Sequence, residues 1–149
     1  MANVHDVAAY ILKKKSSMSA MKLQKLVYYS QAWHLVWEER PLFSERIEAW
    51  ANGPVSPDLY AKHRRQFMVS DWSQWGNSDN LDAGEKASID NVLGFYGERP
   101  AHELSELTHR EDPWRNARGD LPAGANCRTE ISHVDIHEYY DGLVGTNPL

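Results

Sequence analysis

The residues that could carry out nucleophilic chemistry in this chain of 149 residues are a single cysteine and a nearby histidine. Cys127 lies in a glycine-containing stretch and precedes His133, so the two could form a thiol–imidazole pair. No recognisable signature surrounds the cysteine. The chain also lacks a Gly-x-Ser-x-Gly motif, a His-Glu-x-x-His motif and a phosphate-binding glycine loop. The sequence therefore favours a protein without catalytic residues, although an enzyme that uses Cys127 stays open.

A second candidate is a metal site at His133-x-Asp135-x-His137. On a helix the two histidines would share a face while the aspartate points elsewhere, so a further ligand would have to come from His102 or His109. These histidines could equally be ordinary polar residues on the protein surface. We expect no metal and no cofactor.

Aromatic side chains lie among basic residues between positions 22 and 37, and together they could form a nucleic-acid surface. The competing interpretation, which we favour, is that these rings fill a core around a helix. Arg64 and Arg65 are the best candidates for phosphate contacts, but no basic recognition helix is present. The aromatic residues of this stretch are Tyr28, Tyr29, Trp33 and Trp37, and the basic ones are Lys22, Lys25 and His34.

Two dense turns, Trp50–Asp58 and Thr108–Trp114, combine prolines, polar groups and large rings. They are either structural corners or a recognition surface built on rigid loops. On the second interpretation we predict a partner-binding surface, which comprises Trp50, Asn52, Val55, Tyr60, His109 and Trp114.

The net charge of −5 is unevenly distributed. Residues 1–67 hold ten Lys/Arg and six Asp/Glu, whereas residues 68–149 hold six and fifteen. The positive excess is too small to favour nucleic acid, and the acidic part could meet a basic protein. A single cysteine excludes an internal disulfide and indicates a reducing compartment. No apolar run approaches the roughly 20 residues that cross a bilayer. We therefore expect a cytoplasmic protein without a membrane partner.

These candidates must be positioned by a central helix, which we predict over Met21–Arg40 because its apolar residues lie on most faces. Pro41 ends it, since the residue before a proline disfavours helical backbone angles. If this helix contacts a partner, the contact should fall on its few polar positions. These are Lys22, Gln24, Lys25, Gln31 and His34.

The first part of the chain predicts two further helices and a short strand. A first helix over Val4–Lys14 is expected, with a serine turn after it. Residues 43–52 alternate in polarity and predict a strand, and Asn52-Gly53 predicts a tight turn. Ser56 caps a third helix that starts at Pro57. This helix is expected to carry Leu59, Tyr60, His63 and Phe67.

The second part of the chain predicts three more helices. Residues 68–81 suggest a loop, after which Asp82 and Glu85 form a capping box for a helix that Gly97 stops. Pro100 opens another helix, residues 118–128 form an exposed loop, and Ser132 caps the last helix. The tail beyond Gly145 is expected to fray. The fold class is therefore mainly α, a compact single-domain helical bundle of residues 1–149 around a long central helix, with a short β element after it.

Several of these motifs together resemble the Panacea domain, the family of SocA-like antitoxins and phage-associated GepA-type proteins. The resemblance lies first in Lys22–His34 and Phe43–Tyr60. Leu104–His109, Pro113-Trp114 and Ile131–Tyr140 match the later part of the family pattern.

The resemblance implies a mainly helical antitoxin of a toxin–antitoxin pair. It would neutralise a cognate toxin, encoded by the adjacent gene, through direct protein–protein binding without catalysis. The alternative is a nucleic-acid-binding or phage-associated regulatory protein that has no toxin partner.

Overall fold

The computed structural model describes residues 2–144 and is mainly α-helical. In chain order the helices are α1 (Val4–Lys15), α2 (Ala20–Glu38), α3 (Pro57–His63), α4 (Ala83–Tyr96), α5 (Ala101–His109), α6 (Asp112–Arg118) and α7 (His133–Leu143). The strands are β1 (Met18–Ser19), β2 (Glu48–Trp50), β3 (Gly53–Val55) and β4 (Met68–Val69). The predicted mainly α fold with a short β element after the central helix is confirmed. The prediction for the tail beyond Gly145 lies outside the described residues.

Helix α2 is the centre of the structure, because α1, α4, α5 and α7 all pack against it. Its 19 residues span about 28 Å. Ser19 caps its first turn by accepting a hydrogen bond from the backbone N–H of Lys22 at 3.1 Å. The helix ends two residues earlier than predicted, and Glu39 adopts a left-handed conformation with φ of 55°. The chain thus leaves the helix before Arg40, the residue that Pro41 restricts.

The remaining helices begin where polar side chains satisfy free backbone N–H groups. Asp82 and Glu85 form the predicted capping box of α4, and Asn3 with Asp6 forms another at α1. Ser56 caps α3, whose first residue is Pro57, and Ser132 caps α7. The predicted caps of α3, α4 and α7 are confirmed, whereas the cap of α1 is not among the predictions.

A two-stranded hairpin follows α2. Its first strand, β2, is shorter than the strand predicted over residues 43–52. Strands β2 and β3 pair antiparallel, with Trp50 opposite Gly53, so Ala51 and Asn52 form the tight turn. Residues 43–47 are not a strand. At the start of this segment, Gln31 Nε2 of α2 donates to the Phe43 carbonyl at 2.8 Å, and at its end the Ile131 N–H donates to the Ile47 carbonyl at 2.8 Å.

Three further predictions are corrected. Helix α3 ends at His63, so Phe67 lies outside it and is 81% exposed. Residues 68–81 are not entirely a loop, since β4 pairs with β1 and a 3-10 turn covers Ser78–Asn80. The second dense turn is also shorter than predicted, because α6 begins at Asp112. Pro113 is acceptable there, since the first turn of a helix needs no donor from it.

Buried aromatic rings surround the middle of α2. Tyr29 stacks on Tyr96 with ring centroids 4.1 Å apart, and Trp33 donates to the Tyr96 hydroxyl at 3.0 Å. Tyr28, Tyr29 and Trp33 are at most 1% exposed. The hypothesis that these rings form a nucleic-acid surface is therefore wrong for three of its four rings, and only Trp37 is partly exposed.

Glu111 satisfies the hydroxyl groups of this aromatic cluster. Its Oε1 accepts hydrogen bonds from Tyr29 at 2.7 Å and from Tyr140 at 2.8 Å. Tyr140 also lies 3.1 Å from the hydroxyl of Tyr28. Burial raises the pKa of Glu111, although the two tyrosine donors oppose the rise.

Replacing Glu111 with alanine should destabilise the protein by roughly 3 kcal/mol, because two buried hydroxyl groups lose their acceptor and a cavity forms. Glu111→Gln keeps an Oε1 acceptor and should cost clearly less. Urea unfolding measures both. The exposed neighbour Glu106→Ala is the control, expected within about 0.5 kcal/mol of the wild type. Equal losses for Glu111→Ala and Glu111→Gln would contradict the proposed hydrogen-bonding role.

Candidate partner-binding groove

A groove of about 760 Å³ opens between the start of α2, the β2–β3 hairpin, α3 and the turn after α3. The loop at residues 126–128 closes one side. The structure brings four of the six predicted partner-binding residues to it. These are Trp50, Asn52, Val55 and Tyr60.

Gln24 fixes α3 to the floor of the groove. This buried side chain accepts a hydrogen bond from the Ser56 backbone N–H at 2.9 Å and donates to the Ser56 carbonyl at 3.2 Å. Its Nε2 also lies 2.9 Å from His63 Nε2. Because an amide nitrogen only donates, His63 accepts through Nε2 and is neutral in this arrangement. Burial lowers the pKa of His63, and nearby Lys25 lowers it further against an opposing backbone hydrogen bond.

Lys25 is buried beneath the hairpin without a carboxylate partner among residues 2–144. Its Nζ donates to the Pro54 carbonyl at 3.1 Å. Burial alone lowers the pKa of Lys25 to about 7. Gly53 makes this packing possible, since a Cβ at that position would lie 2.6 Å from Lys25 Cε and 2.9 Å from Thr108 Oγ1. Its φ of +121° also favours glycine.

His109 and Trp114, the other two predicted residues, do not line the groove. Trp114 Nε1 donates to the Trp50 carbonyl at 2.7 Å, and His109 stacks on the Trp114 ring at 4.0 Å. The Arg118 guanidinium also packs on the Trp114 ring, 4.8 Å from its centroid. It donates a hydrogen bond to the Ala49 carbonyl at 3.0 Å. Burial, Lys25 and Arg118 lower the pKa of His109. This cluster fixes the backbone of the hairpin.

The turn after α3, which also lines the groove, is held by backbone hydrogen bonds. The Ala20 N–H donates to the Phe67 carbonyl at 2.8 Å, and Gln66 N–H donates to the His63 carbonyl at 2.8 Å. Arg65 adopts a left-handed conformation with φ of 69°. The exposed Phe67 side chain therefore stands on a fixed backbone.

Aromatic contacts link the hairpin to α3 across the groove. Trp50 and Tyr60 meet edge to face at 4.9 Å, and Arg128 lies 5.5 Å from the Trp50 ring. Trp50 Nε1 donates to Glu48 at 2.8 Å, and Glu48 pairs with Arg46 at 2.9 Å. The Glu48 carboxylate is thus already neutralised by a neighbouring arginine.

The sequence did not predict several groove residues as part of a partner surface. Met21, Phe67 and Arg128 carry no local signal, because they meet only through the tertiary fold. Two of the five polar positions predicted for a contact by α2, Gln24 and Lys25, do lie on the groove. Gln31 and His34 are instead buried beside Phe43 and Ser88.

The predicted thiol–imidazole pair does not form, because no histidine among residues 2–144 makes a hydrogen bond with Cys127. Burial raises the pKa of Cys127, but hydrogen bonds with Thr129 and the nearby Arg118 bring it below its ordinary value. His133 lies beside Gln31, with the Nε2 atoms 3.5 Å apart. Within residues 2–144, no group of three or more His, Cys, Asp or Glu is placed to hold a metal ion. None of the described helices is long and apolar enough to cross a membrane.

Comparison with known protein families identifies the class of this protein. Residues 23–115 match the family model of the antitoxin SocA-like, Panacea domain, and this match spans α2 through the middle of α6. It covers more than half of the chain and includes most of the groove. The chain therefore belongs to the SocA-like Panacea family. No curated protein and no solved structure matches it.

Burial of Lys25 should make stability depend on pH. Between pH 7 and 10 the unfolded chain holds a proton on Lys25 that the folded protein lacks, so stability should rise with pH. In Lys25→Met this contribution is absent. The stability of the wild type relative to Lys25→Met should therefore increase by up to about 1.4 kcal/mol per pH unit. Urea unfolding at several pH values measures it.

The half-exposed residue Lys22 on the same helix provides the matched control, Lys22→Met. If the wild type and Lys25→Met show the same pH dependence, the Lys25 ammonium remains charged in the folded protein.

Proposed function

We propose that the protein is the antitoxin of a toxin–antitoxin pair and that it neutralises its toxin by binding it directly, without catalysing a reaction. Membership of the SocA-like antitoxin family is the observation that carries this proposal. The toxin is encoded by the adjacent gene, and the complex forms in the cytoplasm. Extension of the family domain over the whole chain, residues 1–149, is part of the same proposal.

The groove supports a binding function, because preformed concave surfaces with apolar walls and a few fixed polar groups are typical of binding sites. In this proposal Trp50, Asn52, Val55 and Tyr60 contact the toxin. His109 and Trp114 contribute by holding the hairpin, since Trp114 is only 7% exposed and bonds to the Trp50 carbonyl.

Co-expression with the adjacent gene tests the function. That gene expressed alone should arrest growth, co-expression of this protein should restore growth, and the two products should copurify. If the adjacent gene is harmless alone, or if rescue occurs without copurification, direct neutralisation by this protein is wrong.

Tyr60→Ala should weaken toxin binding by roughly thirtyfold, about 2 kcal/mol, as expected for a central aromatic contact. Tyr60 is 38% exposed and packs on Trp50 and His63, so its removal changes the groove surface rather than the core. Isothermal titration calorimetry measures the affinity. Val134→Ala on α7, a 64% exposed position, is the control for loss of an exposed apolar side chain. Equal toxin affinity of both variants would remove Tyr60 from the partner surface.

A further inference from the structure

The groove has a charge opposite to that of the whole chain. Its lining includes three exposed arginines and no aspartate or glutamate, although the chain has a net charge of −5. The arginines are Arg64, Arg65 and Arg128, whereas the lining residue Lys25 is buried and its pKa is lowered to about 7. A concave surface with one sign of charge concentrates partner groups of the other sign.

The arginines at the edge of the groove have no carboxylate partner within the described part of the chain. Arg64 and Arg65 are exposed, and their side chains form no ion pair with residues 2–144. Arg128 lies over the Trp50 ring and likewise has no carboxylate within ion-pair distance there. By contrast, Arg40 and Arg46 each pair with acidic side chains of the same molecule. Three guanidinium groups therefore remain available to a partner.

Exposed apolar side chains lie on the same surface. Met21 and Tyr60 are each 38% exposed, Phe67 is 81% exposed, and the neighbouring Met68 is 50% exposed. The backbone of Phe67 is fixed by its bond from Ala20. An aromatic side chain on a fixed backbone loses little entropy on binding and is typical of the residues that dominate interface energy.

We propose that the groove receives a segment of a partner protein that carries an aromatic or aliphatic side chain flanked by carboxylates. The apolar side chain packs against Tyr60, Phe67 and Met21, and the carboxylates pair with Arg64, Arg65 and Arg128. Identification of that partner as the toxin rests on the proposed function. The chemistry of the groove is independent of it.

A protein segment fits these observations better than nucleic acid does. Guanidinium groups bind carboxylates and phosphates alike through paired hydrogen bonds, so charge alone does not choose between them. The exposed side chains of Met21 and Met68 do, because they call for an apolar partner group and offer no ring on which a base could stack.

The test uses the purified chain and fluorescently labelled, end-blocked peptides. The acidic probe is Gly-Glu-Asp-Phe-Glu-Leu-Gly, and the neutral probe replaces its acids with the corresponding amides. Fluorescence anisotropy should give about tenfold tighter binding of the acidic probe. Arg64→Gln/Arg65→Asn should reduce that preference severalfold, since only Arg128 remains, and Phe67→Ala should weaken both probes. Asparagine is chosen at Arg65 because it tolerates the left-handed backbone.

The control variant is Arg110→Gln/Arg115→Gln, which removes two exposed arginines outside the groove and should leave the preference unchanged. Circular dichroism checks that each variant is folded. Equal binding of the two probes, absence of saturable binding by the acidic probe, or tighter binding of a labelled oligouridine RNA would each overturn the proposal.

Copurification of the same variants with the product of the adjacent gene separates the two proposals. If the toxin binds the Arg64/Arg65 variant as tightly as the wild type, the groove chemistry is wrong and the antitoxin function stands. If the adjacent product is not a toxin but the acidic peptide binds as expected, the function is wrong and the groove chemistry stands.

Discussion

Two buried glutamines of α2 hold the least regular part of the chain in place. Gln31 accepts from the Leu42 N–H at 2.7 Å and donates to the Phe43 carbonyl, while Gln24 makes the equivalent pair with the N–H and carbonyl of Ser56. The glutamines are two helical turns apart and therefore lie on the same face, about 10 Å from each other. Each satisfies a buried backbone N–H and a buried carbonyl, groups that would cost about 1–3 kcal/mol each if left unpaired. These two attachments fix both ends of the segment between residues 42 and 56, and the hairpin between them is held further by Lys25, Trp114 and Arg118, which bond to backbone carbonyls.

Hydrogen bonds from side chains to the backbone also determine the shape of the groove. Gln24 fixes the start of α3, Lys25 bonds to the hairpin at Pro54, and Trp114 holds the hairpin at the Trp50 carbonyl. Each attachment uses a side chain to pair with backbone rather than with another side chain. The outer residues of the groove can therefore project from a fixed frame without contributing to its hydrogen bonding.

Local signals in the sequence predicted much of the fold. Serine and aspartate caps, prolines and the periodicity of apolar residues located the helices, because these effects act within one turn of the chain. The strand over residues 43–52 was overestimated, since alternation in polarity does not reveal that Gln31 takes the backbone bonds of Phe43. Spacing alone predicts Phe67 in α3, whereas the left-handed backbone at Arg65 redirects the chain.

The candidate site was predicted only in part, for a related reason. Trp50, Asn52, Val55 and Tyr60 are close in sequence and meet on the groove because a tight turn joins them. Arg128 and Met21 arrive from distant segments, and no pattern around either residue predicts that they lie together. As polar positions on an apolar helix, Gln24 and Gln31 are where the sequence would place any partner contact by α2, but both are used to satisfy backbone groups.

The separation between the frame and the outer residues of the groove has a consequence for how such a protein can change over generations. The side chains of Arg64 and Arg65 are exposed and form no ion pair with the described residues, whereas Gln24, Gln31 and Ser56 are buried and bonded. If the groove binds the partner as proposed, substitutions at the exposed positions would alter partner preference at little cost in folding, while the buried positions tolerate few alternatives. Selection for a new partner would then act on one small set of residues, and the remaining chain would serve as a reusable scaffold.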